Sequence, residues 1–146
     1  MQLATYLNFR GDCEEAFSFY QAHLGAKPGA IFRYAGTSLA DQVPADWSDK
    51  VMHGNLTIGD QALMGADVSP ERYKNPTGFS LSLQFKETAE AERVFRELAK
   101  DGRVTVPLEK TFWAARFGMV EDRFGISWMI NCEGADETAS PTSNHG

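Results

Sequence analysis

Residues 8–20, NFRGDCEEAFSFY, lie over residues 84–96, QFKETAEAERVFR, at a constant offset of about 76. Phe9 falls on Phe85, Arg10 on Lys86, Glu14 on Glu90 and Phe19 on Phe95. A repeat this long in a chain of 146 residues constrains the fold more than any single motif, because one supersecondary unit must be built twice. The first copy reads β-α-β-β-β. Residues 3–10 form a strand stopped by Gly11 and Asp12, and Asp12 with Glu15 three residues on makes a capping box. Cys13, Phe17, Tyr20 and Leu24 recur at helical spacing until Gly25 closes the helix. Residues 30–34 read as a second strand, 35–49 as a loop and 51–58 as a third strand. Gly59-Asp60 turns the chain into a fourth strand at 61–66. Residues 67–77, with Pro70 and Pro76, link the copies.

The second copy repeats the order. Residues 79–86 alternate serine with apolar residues (SLSLQF), and Thr88 caps a helix whose stripe is Ala91, Val94, Phe95 and Leu98, ended by Gly102. A strand at 103–106 and a loop at 107–110 lead into residues 111–132, TFWAARFGMVEDRFGISWMINC. This segment predicts a hairpin: a strand at 112–120, a turn at 121–125 in which Gly125 is free to take positive φ, and a strand at 126–132. Each half-sheet has one face for its own helix and one that must meet the other half. The expected fold class is α+β, with two tandem β-α-β-β-β modules forming a curved, open eight-stranded barrel-like sheet and helices outside. One domain is expected over residues 1–134, with modules at about 1–68 and 76–134, followed by a flexible tail at 135–146.

A net charge of −6 and a pI near 5.0 argue against a nucleic-acid or anionic-membrane partner. No apolar run approaches the roughly 20 residues of a spanning helix, and the start lacks a secretory pattern, so a cytoplasmic protein is expected. Cys13 and Cys132 then read as free thiols.

Alternation supplies the candidate site. If Leu56 and Ile58 pack on the helix, His53, Asn55 and Thr57 share the opposite face. His53 is a general base or hydrogen-bond donor to a ligand, or a core histidine satisfied by a backbone carbonyl or by a carboxylate such as Asp67. His23 falls on the exposed side of the first helix and His145 in the tail. Ser80, Ser82 and Gln84 alternate with Leu81, Leu83 and Phe85, so they line the inner face or merely mark a solvated one; Tyr6 and Asn8 hold the repeat-equivalent places. Arg116 shares its face with the small residues Ala114 and Gly118, leaving room for an inward side chain that either binds an anionic ligand or pairs with Glu109. Trp128 belongs to the core, and Trp113 to the core or to a pocket wall. Cys13 reads as a buried, idle thiol in a first helical turn that Glu14 and Glu15 make acidic.

The segments GDCEEAFSFY, DKVMHGNLTIGDQALMGAD and TFWAARFGMVEDRFGISWMIN resemble the vicinal-oxygen-chelate superfamily of glyoxalases, bleomycin and fosfomycin resistance proteins and extradiol dioxygenases. Within it they look like the PhnB-like branch, often labelled 3-demethylubiquinone methyltransferase-like, and the resemblance covers residues 1–132. It implies ligands held in a sheet-lined trough, with His53, Asn55, Ser80, Ser82, Gln84, Trp113, Arg116 and Met129 as candidate ligand-binding residues and no catalytic residue assigned. His53, Arg116 and Trp113 are expected to converge on one pocket for an anionic or polar organic ligand. The superfamily's metal enzymes place His or Glu at four trough positions; matching strands puts Ala4 or Thr5, Met64 or Gly65, Phe79 or Ser80, and Met129 there, so no metal and no cofactor is expected. The alternating β and α units of an S-adenosylmethionine fold are absent from the pattern, which excludes a methyltransferase. Three functions stay open: a metal-free small-molecule binder, an enzyme (lyase, isomerase or dioxygenase) using trough residues or an atypical metal, and an interaction module with a filled trough. A homodimer is expected, because Phe32, Val51 and Met52 need cover.

Overall fold

The computed structural model describes residues 1–133, so the expected tail at 135–146, with His145, lies outside the described residues. The chain divides into two compact units, one over residues 1–74 and one from Asn75 on. Each holds one helix and one open, mixed four-stranded sheet, in the α+β arrangement of two tandem modules.

In the first unit β1 (Thr5–Phe9), α1 (Cys13–Leu24), β2 (Lys27–Arg33), β3 (Val51–Ile58) and β4 (Gln61–Asp67) follow one another, with 3-10 turns at Ala40–Gln42 and Ala45–Trp47. The sheet order is β1-β4-β3-β2, with β1 parallel to β4 and the other pairs antiparallel. Leu7, Phe9, Leu56 and Leu63 are buried on the side of α1, each contributing about 1.5–3 kcal/mol of transfer free energy. Phe17 sits over two glycines there: a Cβ on Gly65 would come within 3.1 Å of its ring and one on Gly54 within 3.4 Å. Gly25, at φ 70°, ends α1, and the Ala26 N–H that follows donates to the Tyr20 carbonyl at 3.3 Å, as the helix-stop glycine predicts.

The capping box does not form. Asp12 makes no side-chain capping bond. Instead Asp67, 1 % exposed, accepts the Gly11 and Cys13 N–H groups on Oδ1 and the Val51 N–H on Oδ2, each at 2.9 Å. The reason is topological. Phe9 lies beside Asp67 in the parallel β1–β4 pair, so the end of β4 emerges at the start of α1 and delivers a carboxylate to its unpaired first-turn donors.

The second unit repeats the plan with β5 (Leu81–Phe85), α2 (Thr88–Ala99), β6 (Arg103–Glu109), β7 (Arg116–Glu121) and β8 (Ser127–Cys132) in the order β5-β8-β7-β6. Ala91, Val94, Phe95 and Leu98 are the buried stripe of α2, as read from the sequence. Thr88 is the first helical residue rather than the cap; Glu87 precedes it in extended conformation without a capping bond. Asp101, not Gly102, takes the left-handed conformation after the helix, at φ 58°. The β6 strand runs on to Glu109 where a loop was expected, and β7 starts only at Arg116, which leaves Phe112 and Trp113 in the preceding loop. In the β7–β8 turn Asp122, 3 % exposed, accepts the Phe124 and Ile126 N–H groups on Oδ1 and the Trp128 indole N–H on Oδ2, and Gly125 takes φ 90°. Trp128 is thereby fixed in the core.

Candidate functional site

Each sheet has one face against its helix and one open face. In the first unit the rings and glycines named above put Leu7, Phe9, Gly54, Leu56 and Gly65 on the helix side. The pleat therefore turns Tyr6, Asn8, His53, Asn55, Met64 and Ala66 to the open side. In the register Tyr6 stands beside Met64 and Met64 beside Asn55, while His53 stands beside Phe32. The Tyr6 hydroxyl lies 3.1 Å from His53 Nδ1. The two rings are 5.6 Å apart, and the Phe32 ring stacks 6.4 Å from the imidazole on its other side. His53 is thus satisfied by a phenol; Asp67, the carboxylate weighed as its partner, points to the helix side. Burial pushes the Tyr6 phenol up from its ordinary value, with the nearby Cys13 and Tyr34 adding to the effect, so it remains a hydroxyl. Asn55 is partly committed: its Oδ1 accepts the Ala30 N–H at 3.2 Å, where the β2–β3 pairing is irregular between Pro28 and Ile31, and Gly29 leaves room for the amide.

The open face of the second unit carries Ser82, Gln84, Phe117, Met119, Met129 and Asn131. Asn131 Nδ2 donates to Gln84 Oε1 at 2.8 Å, and Gln84 Nε2 donates to Ser82 Oγ at 2.9 Å. Ser80 and Ser127 share a hydroxyl hydrogen bond of 2.7 Å. Beside them lies a cavity of about 500 Å³ lined by Phe79, Ser80, Met119, Ser127 and Met129, with the Arg103–Glu121 ion pair (2.8 Å) at its rim. Trp113, 55 % exposed, meets Phe117 edge-on at 5.4 Å and Phe112 at 4.9 Å, and Thr111 Oγ1 fixes its loop by accepting the Trp113 and Ala114 N–H groups. Ser80, Ser82, Gln84, Met129 and Trp113 therefore lie on or beside one face of their unit.

Arg116 does not join them. It shares the helix side with Gly118 and Val120, where its Nε donates to Glu92 Oε2 of α2 at 3.0 Å and its Nη1 to the Ala115 carbonyl at 2.7 Å. Glu109, the carboxylate expected as its partner, stands beside Phe117 in the β6–β7 register and so belongs to the other face. The alternation with Gly118 was read correctly, but the face it defines is the helix face, because Gly118 lies under Phe95 as Gly54 lies under Phe17.

A second cavity, of about 780 Å³, opens at the start of α1 and is bordered by Asp12, Glu14, Arg33, Asp49 and Lys50. Arg33 is held there by both carboxylate oxygens of Glu14, at 2.8 and 2.9 Å, and Lys50 Nζ donates to the Gly11 carbonyl. Asp12 Oδ1 is buried and takes no hydrogen bond, and burial pushes the Asp12 carboxyl up, reinforced by Asp67. Burial, with Asp67 and Asp12 adding, likewise pushes the Cys13 thiol far up, which keeps it protonated and unreactive.

The donor set bears on a metal. The middles of the open faces offer phenol, amide, hydroxyl and thioether groups with one imidazole, and the carboxylates of Glu109 and Glu121 stand singly at the rim of the second. Among the described residues no three His, Cys, Asp or Glu side chains gather within reach of one ion. These groups do not fit a divalent-metal centre of the superfamily type. Sequence reasoning missed Phe32 and Phe117 as open-face residues. The alternation of Phe117 with the small helix-facing Gly118 was the signal available for the second.

Comparison with known proteins agrees with this architecture. The family model of the glyoxalase/bleomycin resistance protein/dioxygenase superfamily matches residues 2–130. Protein YjdN of Escherichia coli K12 is 34 % identical over 90 % of this chain and 95 % of its own. The crystal structure of PA1353 from Pseudomonas aeruginosa is 48 % identical, covers 91 % of this chain and 98 % of its own, and superposes with a TM-score of 0.82. A Bacillus cereus PhnB protein, described as a putative 3-demethylubiquinone-9 3-methyltransferase, is 26 % identical over 90 % of this chain and 99 % of its own, with a TM-score of 0.78. Two matched β-α-β-β-β units, a family model spanning nearly all the described residues and full-length relatives lead to one conclusion: the chain belongs to the glyoxalase/bleomycin resistance protein/dioxygenase superfamily.

Proposed function

We propose that this protein binds a small polar organic molecule on the open faces of its sheets, without a divalent metal. One observation carries the reading. The middle of each open face is uncharged although the chain carries 34 acidic and basic residues (14 Lys and Arg, 20 Asp and Glu). The charges stand at the rims: Lys27 opposite Thr57 in the first unit, and Arg103, Glu109 and Glu121 along the edge of the second. A solvated sheet face of a soluble domain is ordinarily mixed with charge. Neutral hydrogen-bonding groups interleaved with exposed aromatic rings instead suit a ligand that is mostly desolvated when bound.

The test is native mass spectrometry of freshly purified protein, followed by denaturation. The expected result is a retained organic mass released on unfolding, with no stoichiometric metal. A tightly held divalent ion needed for capture of that molecule would overturn the reading. A second reading, an enzyme of the superfamily, draws on the Tyr6–His53 hydrogen bond, a pair able to exchange a proton with a bound substrate. Conversion of the retained molecule on incubation, abolished by His53→Gln, would select it.

The working assembly is proposed to be a homodimer. Val51 is buried within its own unit and no longer argues for this, but Val104 and Val106 remain open on the outer strand β6. Analytical ultracentrifugation is expected to give twice the chain mass at micromolar concentration; a concentration-independent monomer would exclude the dimer.

A further inference from the structure

We infer that Tyr6, His53 and Phe32 form a recognition site for an uncharged, planar aromatic molecule bearing an acceptor oxygen, with Tyr6 as the positioning residue that makes His53 a directed donor. The inference rests on the small-molecule reading above and narrows it to one face and one ligand class.

Three observations carry it. First, the rings are a row rather than a core cluster. Tyr6 is 46 % exposed and Phe32 54 %, yet both lie against one imidazole with interplanar angles of 33° and 29°. The tilted Tyr6 ring reaches the imidazole over β4, which separates β1 from β3, and the stacked Phe32 ring meets it from the neighbouring β2, so the three offer a shallow apolar bed that a saturated ring fits less well. Second, the imidazole is oriented. A phenol that stays protonated can donate to Nδ1 at 3.1 Å, which leaves the ring proton on Nε2 and turns it into a donor for a ligand oxygen. The Tyr6 hydroxyl acts through His53, while its ring belongs to the bed. Third, the charge is wrong for an anion. Asn8, Asn55, Met64 and Ala66, which complete this part of the face, are neutral, and Arg116 is paired with Glu92 on the helix side of the other unit. The cation at the rim, Lys27, is opposite Thr57, four residues along β3 from His53, or roughly 13 Å of strand. Among the described residues, those beside the imidazole on this face offer an anionic ligand no fixed counter-charge.

The experiment uses the full chain and three probes: benzamide, benzoate and cyclohexanecarboxamide. Binding is followed by the ¹⁵N and ¹³C resonances of the His53 ring and by the Met64 methyl. Benzamide is expected to shift both and to bind at least fivefold more tightly than benzoate or cyclohexanecarboxamide. In His53→Gln that preference is expected to collapse. In free Tyr6→Phe the two His53 nitrogens are expected to move toward the averaged shifts of mixed tautomers, while the melting temperature stays within a few degrees. That ¹⁵N signature would not change if Tyr6 were merely packing. Tighter binding of benzoate, equal binding of the saturated amide, or unchanged His53 nitrogens in Tyr6→Phe would each overturn the inference. If the Met119 and Met129 methyls respond to the molecule the protein retains while His53 stays silent, this site fails and the small-molecule reading survives. If no open-face residue responds to any ligand, the reading itself fails.

Discussion

The two units use one topology with different chemistry, and the helix-facing glycines align them. Gly54 lies under Phe17 and Gly118 under Phe95. With that alignment the open-face row Tyr6, Met64, Asn55 of the first unit becomes Ser82, Met129, Met119 in the second, and His53 becomes Phe117. The imidazole therefore belongs to one unit alone, and the position equivalent to it is not Arg116 but the residue after it. The buried carboxylates differ as well. Asp67 ties a strand end to the start of α1, whereas Cys132 stands in the matching place beside Phe85, and the second unit uses Asp122 to close its β7–β8 turn. A duplicated fold keeps its sheet order and one helix-facing glycine, while Gly65 gives way to Ile130, and the units diverge in what staples the backbone and in what the open face presents.

Removing the staples should give the largest effects. Asp67→Ala leaves three N–H groups, two buried and one part-buried, without their acceptor and is expected to cost roughly 3–5 kcal/mol in denaturant unfolding; Asp122→Ala, which frees two backbone N–H groups and an indole N–H in a local turn, is expected to cost somewhat less, about 2–4 kcal/mol. A larger loss from Asp122→Ala would reverse the ranking of the two units. The glycines sharpen the contrast further. A Cβ at Gly118 would meet the Leu108 backbone at 2.8 Å and the Phe95 ring at 2.9 Å, so Gly118→Ala should destabilise by about 1–3 kcal/mol. A Cβ at Gly54 makes only ordinary contacts from 3.4 Å outward, so Gly54→Ala should be close to neutral by the same measurement.

Arg116→Met is expected to change stability by less than about 1 kcal/mol, because its ion pair with Glu92 is a third or more exposed at both ends, and to leave ligand uptake unchanged. Weakened uptake with full stability would restore Arg116 to the site. The smallest effect concerns Asp12. Its carboxyl is held above the ordinary value by burial, so its contribution to stability is full below the unfolded-state value and is lost as pH rises through the folded one. Asp12→Asn should therefore raise stability at pH 7, by well under about 1 kcal/mol for a half-exposed group, and the gain should vanish below about pH 4. A gain that grows on acidification would contradict that sign.

Much of this was legible in the chain. The repeat set the two-unit plan, and the strands at Thr5–Phe9 and Leu81–Phe85 keep its spacing of 76 residues. The helices do not: Thr88 follows Cys13 by 75, because the strand-to-helix junction is one residue shorter in the second unit. The slip pairs Tyr20, rather than Phe19, with Phe95. It also sets Glu92 where Phe17 stands, which gives Arg116 a partner on the helix side that spacing within the hairpin could not reveal. The capping carboxylate was equally hidden, since Asp67 is 55 residues from Asp12 in sequence and adjacent to its junction only through parallel pairing. Alternation, a local property, identified which residues share a face; which face the helix covers depended on contacts between distant segments.

The most direct test of the central claim uses the methionine methyls. Met64, Met119 and Met129 lie on the open faces, whereas Met1 is at the exposed N-terminus. The protein labelled with [¹³C-methyl]methionine should be titrated with the low-mass fraction of a cell extract and, separately, with the molecule recovered from purified protein. The account predicts saturable shifts of open-face methyls with Met1 unmoved, and the same shifts after treatment with a chelator. Open-face methyls that stay still at saturating concentrations, or that move only when a divalent metal is supplied, would contradict it.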